Sequence, residues 1–210
     1  MKWLVALVAA AAFGSADGPQ IFYSRLWPGG VPPYVEITVA RDGRAVYREA
    51  PGDQDDKPIE FRLRQHEVDE IFSLAERLGY FRTPLDSGMK VANLGEKTFR
   101  YIDRGQSSEV KFNYSQNPDA RLLADWFARI VETEQHYINL ERTVRFDKLG
   151  VNKVLLQLQA SMERNRLVAP DQFLPFLDRI AAGDVYLNMA RERAASLAEF
   201  IRAGNAQARR

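Results

Sequence analysis

The chain has 210 residues, 46% of them hydrophobic, and sets 29 Lys and Arg against 28 Asp and Glu. That is enough apolar mass to bury a core as one domain, or as one domain with an appendage. Balanced, interspersed charge excludes the concentrated basic surface that nucleic acid or an anionic membrane requires. The lack of cysteine excludes disulfides and an acylated N-terminal cysteine, so the fold rests on its core.

The chain opens with Lys2 and an apolar run from Trp3 to Phe13, followed by Gly14, Ser15 and Ala16 before the polar Asp17. This is the pattern of a secretory signal with a small-residue cleavage site. The run of eleven residues falls short of the roughly 20 that span a bilayer. Residues 1–16 therefore read as a cleaved signal peptide in preference to an anchor or a buried strand, and no stable membrane insertion is expected afterwards. Cleavage after Ala16 leaves 28 basic and 28 acidic side chains. An exported, cysteine-free chain suits a bacterial envelope, periplasmic or extracellular.

Residues 17–34 scatter Phe22, Tyr23, Trp27 and Tyr34 among Pro28, Gly29, Gly30, Pro32 and Pro33. Pro and Gly at this density preclude a helix and leave at most a short strand near Ile21 to Leu26. Tyr23, Trp27 and Tyr34 are the candidate partner-binding residues. They suit either an exposed platform for a glycan or peptide or a lid folded back over the sheet, and the lid is favoured because large exposed patches are uncommon in monomers. Val35, Ile37 and Val39 then alternate with Glu36 and Thr38, and Asp42-Gly43 turns the chain into Ala45, Val46 and Tyr47, which predicts a hairpin. A two-residue loop sets Val39 opposite Val46. A bulge at Gly43, the preferred form, sets it opposite Tyr47 and buries the larger ring.

Residues 51–58, with Asp53, Asp55 and Asp56, lack the ligand order of a calcium loop and read as a solvated acidic loop. Ile59, Phe61 and Leu63 make a further strand, and from Glu67 the period becomes helical, with Val68, Ile71, Phe72, Ala75 and Leu78 on one stripe and Gly79 as the stop. After an irregular stretch, Thr98 to Asp103 and Ser108 to Tyr114 alternate as two half-buried strands. Gly105 at the first central position of a type II′ turn pairs Tyr101 with Val110 and Phe99 with Phe112. Asn117, Pro118 and Asp119 start a helix, striped by Leu123, Trp126, Phe127, Ile130 and Val131, whose period continues through Tyr137, Leu140 and Val144. Three more amphipathic stripes follow, from Val151 to Met162, from Pro170 and Asp171 to Gly183, and from a capping Asp184 to Gly204. The predicted fold is α+β: an antiparallel sheet of four to six strands with two helices, 67–78 and 118–135, on one face, followed by a C-terminal helical segment. The domain plan is a signal peptide at 1–16, an α+β sheet domain at 17–135, and a helical tail at 136–204 packed on the domain or on a partner.

The turn Arg41-Asp42-Gly43, the helix end Leu78-Gly79-Tyr80-Phe81, the strand start Gly95-Glu96-Lys97-Thr98 and the closing Phe112-Asn113-Tyr114 resemble, in that order, a family of small exported bacterial proteins of unknown function. The resemblance covers about residues 34–135. It implies an α+β fold and an envelope location, without an activity.

Ser87-Gly88-Met89-Lys90 has the Ser-x-x-Lys spacing by which a lysine deprotonates a nucleophilic serine, but it lies in a Gly-containing loop without the companion Ser-Asp-Asn and Lys-Thr-Gly elements. His66 and His136 are far apart and seed no metal site. Asn113-Tyr114-Ser115 is formally a glycosylation acceptor placed in a strand. Glu132, Glu134 and Glu192 are expected on solvated helix faces. No catalytic, cofactor or metal residue is thus assigned. The leading function is a non-catalytic envelope protein that binds or scaffolds another macromolecule, either a protein or an envelope polymer. The alternatives are a hydrolase of undescribed type acting on an envelope polymer, and an inhibitor that plugs an envelope enzyme with the loop 82–96. On the leading reading, deleting residues 147–210 removes the partner and leaves the sheet domain folded.

Overall fold

The computed structural model describes residues 18–51, 56–89 and 95–208, with side chains to 204. The signal peptide, Asp53, Asp55 and Lys90 lie outside the described residues. The fold is α+β, built on a six-stranded antiparallel sheet among the described residues. Its strands are β1 (Gln20–Leu26), β2 (Tyr34–Ala40), β3 (Arg44–Arg48), β4 (Ile59–Arg62), β5 (Glu96–Asp103) and β6 (Gln106–Phe112), in the spatial order β4-β3-β2-β1-β5-β6. The helices are α1 (Gln65–Arg77), α2 (Pro118–Phe146), α3 (Val151–Glu163), α4 (Leu174–Ala182) and α5 (Asn188–Ala208).

The stretch expected to give at most a short strand is a central one: β1 pairs with β2 on one side and β5 on the other. Its alternate residues Ile21 and Tyr23 are buried, so two neighbours satisfy its backbone while its side chains supply core. Both hairpins differ from expectation by two residues. Phe99 pairs with Val110 and Tyr101 with Ser108, while Val39 pairs with Ala45 and Ile37 with Tyr47. The reason is the turns. Arg104 and Gly105 both have positive φ, 47° and 77°, which places Gly105 second in a two-residue loop of type I′ character. Gly43, at φ 88°, donates its N–H to Ala40 O at 3.0 Å, and a Cβ there would meet Leu63 O at 3.0 Å. A two-residue shift keeps every side chain on its expected face, so Phe99, Phe112 and Tyr47 are buried all the same.

Phe99 is the hub of the sheet-side core, with the rings of Phe112, Phe81, Tyr23 and Phe127 at 5.0, 5.2, 5.8 and 5.9 Å. Phe127 of α2 stacks on Tyr23 at 4.5 Å. α1 adds Val68, Ile71, Phe72 and Ala75. α2 starts where expected, with Asn117 Oδ1 accepting from Asp119 N at 2.9 Å and Ala120 N at 3.3 Å and Pro118 at the first helical position. It then runs 29 residues unbroken, so the boundary at 135/136 falls inside a continuous helix. The first half of α2 gives Leu123, Phe127 and Ile130 to the sheet-side core. Its second half gives Leu140 and Val144 to a second core with α3, α4 and α5. The last helix starts later than the expected cap at Asp184, because Tyr186 turns inward over Gly183, where an added Cβ would lie 2.9 Å from the ring.

The helical segment is tied to the sheet by a polar seam along the connection between α3 and α4. Ala169 N donates to Glu67 Oε1 at 3.0 Å, Val168 N to Thr133 Oγ1 at 3.1 Å, and Arg64 Nε to Asp171 Oδ2 at 3.0 Å. Val168 and Ala169 themselves belong to the sheet-side core.

Candidate functional site

Where α2 meets α3, the structure assembles a serine, a histidine and a carboxylate. Ser161 Oγ lies 2.9 Å from His136 Nε2 and 2.8 Å from Glu132 Oε1, while Arg166 Nε donates to Glu132 Oε2 at 3.1 Å. The helical period sets Glu132 and His136 one turn apart on α2, and α3 brings Ser161 across to them. Burial acts to raise Glu132, yet the Ser161 hydroxyl and the Arg166 guanidinium hold its carboxyl below the ordinary range. An ionised Glu132 only accepts, so the single hydroxyl proton of Ser161 goes to it, and Ser161 accepts from His136 N–H. Burial keeps His136 toward its neutral form. Nucleophilic activation needs the opposite polarity, with the hydroxyl donating to the imidazole and the carboxylate orienting the other ring nitrogen. Ser161 is also 2% exposed, out of reach of a polymer. The cluster works as a clamp between two helices.

Glu134, two residues along α2, is fully buried; its Oε1 accepts from Gln172 Nε2 at 3.0 Å, while Glu134 Oε2 and Gln172 Oε1 are buried without a partner among the described residues. Burial pushes its carboxyl up to about 8, against the pull of the Gln172 hydrogen bond. The expected solvated face thus holds for neither Glu132 nor Glu134.

The three candidate aromatics are set apart. Tyr23 lies in the core under Phe127. Tyr34, half-buried at the start of β2, donates to Glu36 Oε2 at 3.2 Å. Trp27, at the β1–β2 turn, is 40% exposed, with the Arg25 guanidinium 5.8 Å over its ring. Tyr23 takes no part in an exposed platform. Ser87 is engaged locally, its Oγ accepting from Met89 N at 3.2 Å and its N donating to Tyr114 O at 2.9 Å.

A different surface stands out at the end of α2 away from Asn117, roughly 40 Å along the helix at about 1.5 Å per residue. Here the α2–α3 and α4–α5 connections lie side by side: Lys148 Nζ sits 5.3 Å over the Tyr186 ring, and Asn152 Nδ2 is 3.2 Å from Met189 Sδ. Around these contacts Phe146, Leu149, Val185, Leu187 and Met189 are between 44% and 74% exposed. Arg145 and Lys148 alternate with Asp147 and Asp184. The sequence hid most of this tip, because Val185, Leu187 and Met189 lie inside the helix expected to start at Asp184.

Fold and surface together define an α+β protein in which one long helix joins a sheet-side core to a helix bundle with an apolar tip. No known family model matches the chain, and no curated protein matches it as a relative.

Proposed function

We propose that this is a non-catalytic exported protein of the bacterial envelope that binds or scaffolds another protein through the apolar tip of its helix bundle. The observation that carries the reading is the group of five large apolar side chains open to water on two adjacent connections and the helix ends beside them, an arrangement that marks interaction sites. The interleaved charges, Arg145 and Lys148 against Asp147 and Asp184, favour a protein partner over an anionic lipid surface, which rewards net positive charge. The polarity and burial of the Ser161 cluster support a non-catalytic role, and the Lys2 to Ala16 pattern supports export.

The test is a photo-crosslinking residue at position 187 in cells. One discrete protein adduct is expected in the periplasmic fraction, lost when Leu149→Asp and Val185→Asp are added. Those exposed changes should leave the melting profile near that of the parent, surface substitutions acting within about 0.5 kcal/mol. Absence of an adduct, or the same adduct from position 60 on β4, would overturn the reading.

A further inference from the structure

The seam between the sheet and the bundle holds a half-open cavity of about 150 Å³, bordered by Arg64 and Arg129 and walled by Met162, Leu167, Pro170 and Ile201. Its two cations come from different elements, the β4–α1 junction and the middle of α2. Arg64 Nη2 and Arg129 Nε are both buried and lack a hydrogen-bond partner among the described residues, although buried donors in folded proteins are nearly always satisfied.

The neighbouring carboxylates are all committed elsewhere. Asp125 Oδ1 and Glu132 Oε2 accept from Arg166 at 2.8 and 3.1 Å, and Glu67 spends Oε2 on Arg64 N at 2.7 Å and Oε1 on Ala169 N at 3.0 Å. Arg64 has Asp171 as counterion at 3.0 Å. The Arg129 guanidinium is left stacked 4.3 Å over the Trp126 ring, with no ion pair among the described residues. What the site lacks among the described residues is an acceptor for the N–H groups at Arg64 Nη2 and Arg129 Nε, beside apolar walls; the surrounding carboxylates already offset its charge.

We propose that this cavity binds a small organic monocarboxylate, its carboxylate on Arg64 and Arg129 and its alkyl body against Met162, Leu167 and Ile201. A planar guanidinium suits a carboxylate, whose two oxygens can accept from the two unpartnered N–H groups. A volume near 150 Å³ suits a ligand of about six carbons. Burial and Arg166 disfavour the charged form of Arg129 against the pull of Asp125, Glu67 and Glu132, and a bound carboxylate would add to that pull.

Calorimetric titration of the full chain with hexanoate, N-acetyl-leucine, hexanol and inorganic phosphate tests this. Saturable binding of hexanoate or N-acetyl-leucine is expected, and none of hexanol. Hexanoate alone points to a free acid, N-acetyl-leucine alone to the carboxylate at a peptide's end, and either upholds the site. Arg129→Met should weaken binding at least tenfold, since it removes one of the two donors while keeping an unbranched side chain over Trp126. Gly204→Leu is a second variant that leaves the charges alone. Gly204 borders the cavity and an added Cβ there meets nothing within 4 Å, so the leucine should narrow the space and weaken hexanoate while the helix is kept. Phosphate binding more tightly than either carboxylate, no carboxylate binding at 10-fold excess over about 1 mM, or undiminished binding by Arg129→Met would overturn the proposal.

Discussion

A chain ended at Phe146 is expected to lose cooperative unfolding and to aggregate, read as a broad, shallow melt by circular dichroism and collapsed amide dispersion by NMR. Pattern alone separates a sheet domain from a helical tail and suggests that the first survives deletion of the second. The contacts argue the reverse. α2 is one helix shared by both cores, so the cut leaves Leu140 and Val144, now buried, facing water at about 1.5–3 kcal/mol each. Val168 and Ala169 are withdrawn from the sheet-side core. Glu67 and Thr133, buried at 3% and 1% exposure in the full chain, lose the backbone N–H groups of Ala169 and Val168 together with the segment that covers them, and each lost hydrogen bond removes about 0.5–1.5 kcal/mol. Set against a typical domain stability of 5–15 kcal/mol, these losses remove most of what holds the sheet. A sharp, reversible melt from the truncated chain would show that the sheet unit is autonomous and the seam dispensable.

What could be read from residues alone follows from the length scale of each signal. Alternation in Thr98 to Tyr114 and Val35 to Tyr47 fixed which side chains face the core, because a period of two survives a two-residue shift. It could not fix the register, which was set by Arg104 taking a positive φ and by the backbone at Gly43. The cap at Asn117 and the long stripe of α2 were legible because they are local. The Ser161 cluster, the Glu134–Gln172 pair and the Arg64–Arg129 cavity were not, since each joins residues from different elements, and a polar residue beside an apolar stripe looks solvated until another helix covers it. Trp27 and Tyr34 were near each other in sequence with Tyr23, yet strand alternation sends Tyr23 inward while the turn holds Trp27 out.

Glu134→Gln is expected to flatten the pH dependence of stability and to make the protein more stable than its parent at pH 9. In the folded chain burial raises the Glu134 carboxyl to about 8, from an ordinary value of 4.5. The folded state thus keeps a proton that the unfolded state releases once pH exceeds about 4.5. The resulting stabilisation is fully present below that pH and is lost as pH rises through about 8, at up to about 1.4 kcal/mol per pH unit. The whole effect approaches about 5 kcal/mol, an upper limit because water entering the site would relieve the charge. The chemistry of the pair supplies the cause. With Gln172 Nε2 donating to Glu134 Oε1, Glu134 Oε2 is left buried without a partner among the described residues, and a proton on it removes the charge that burial disfavours. A glutamine at 134 supplies a permanent N–H donor in that place without a charge to bury. Urea unfolding at pH 5, 7 and 9 measures the difference between parent and variant, which also cancels the opposite trend from His136, whose depressed value favours the folded state above rather than below its unfolded range. The two proteins should lie within about 1 kcal/mol at pH 5 and separate by several kcal/mol at pH 9. Parallel profiles would mean that Glu134 is ionised in the folded chain at neutral pH, and that its carboxylate finds solvent or a partner along the seam.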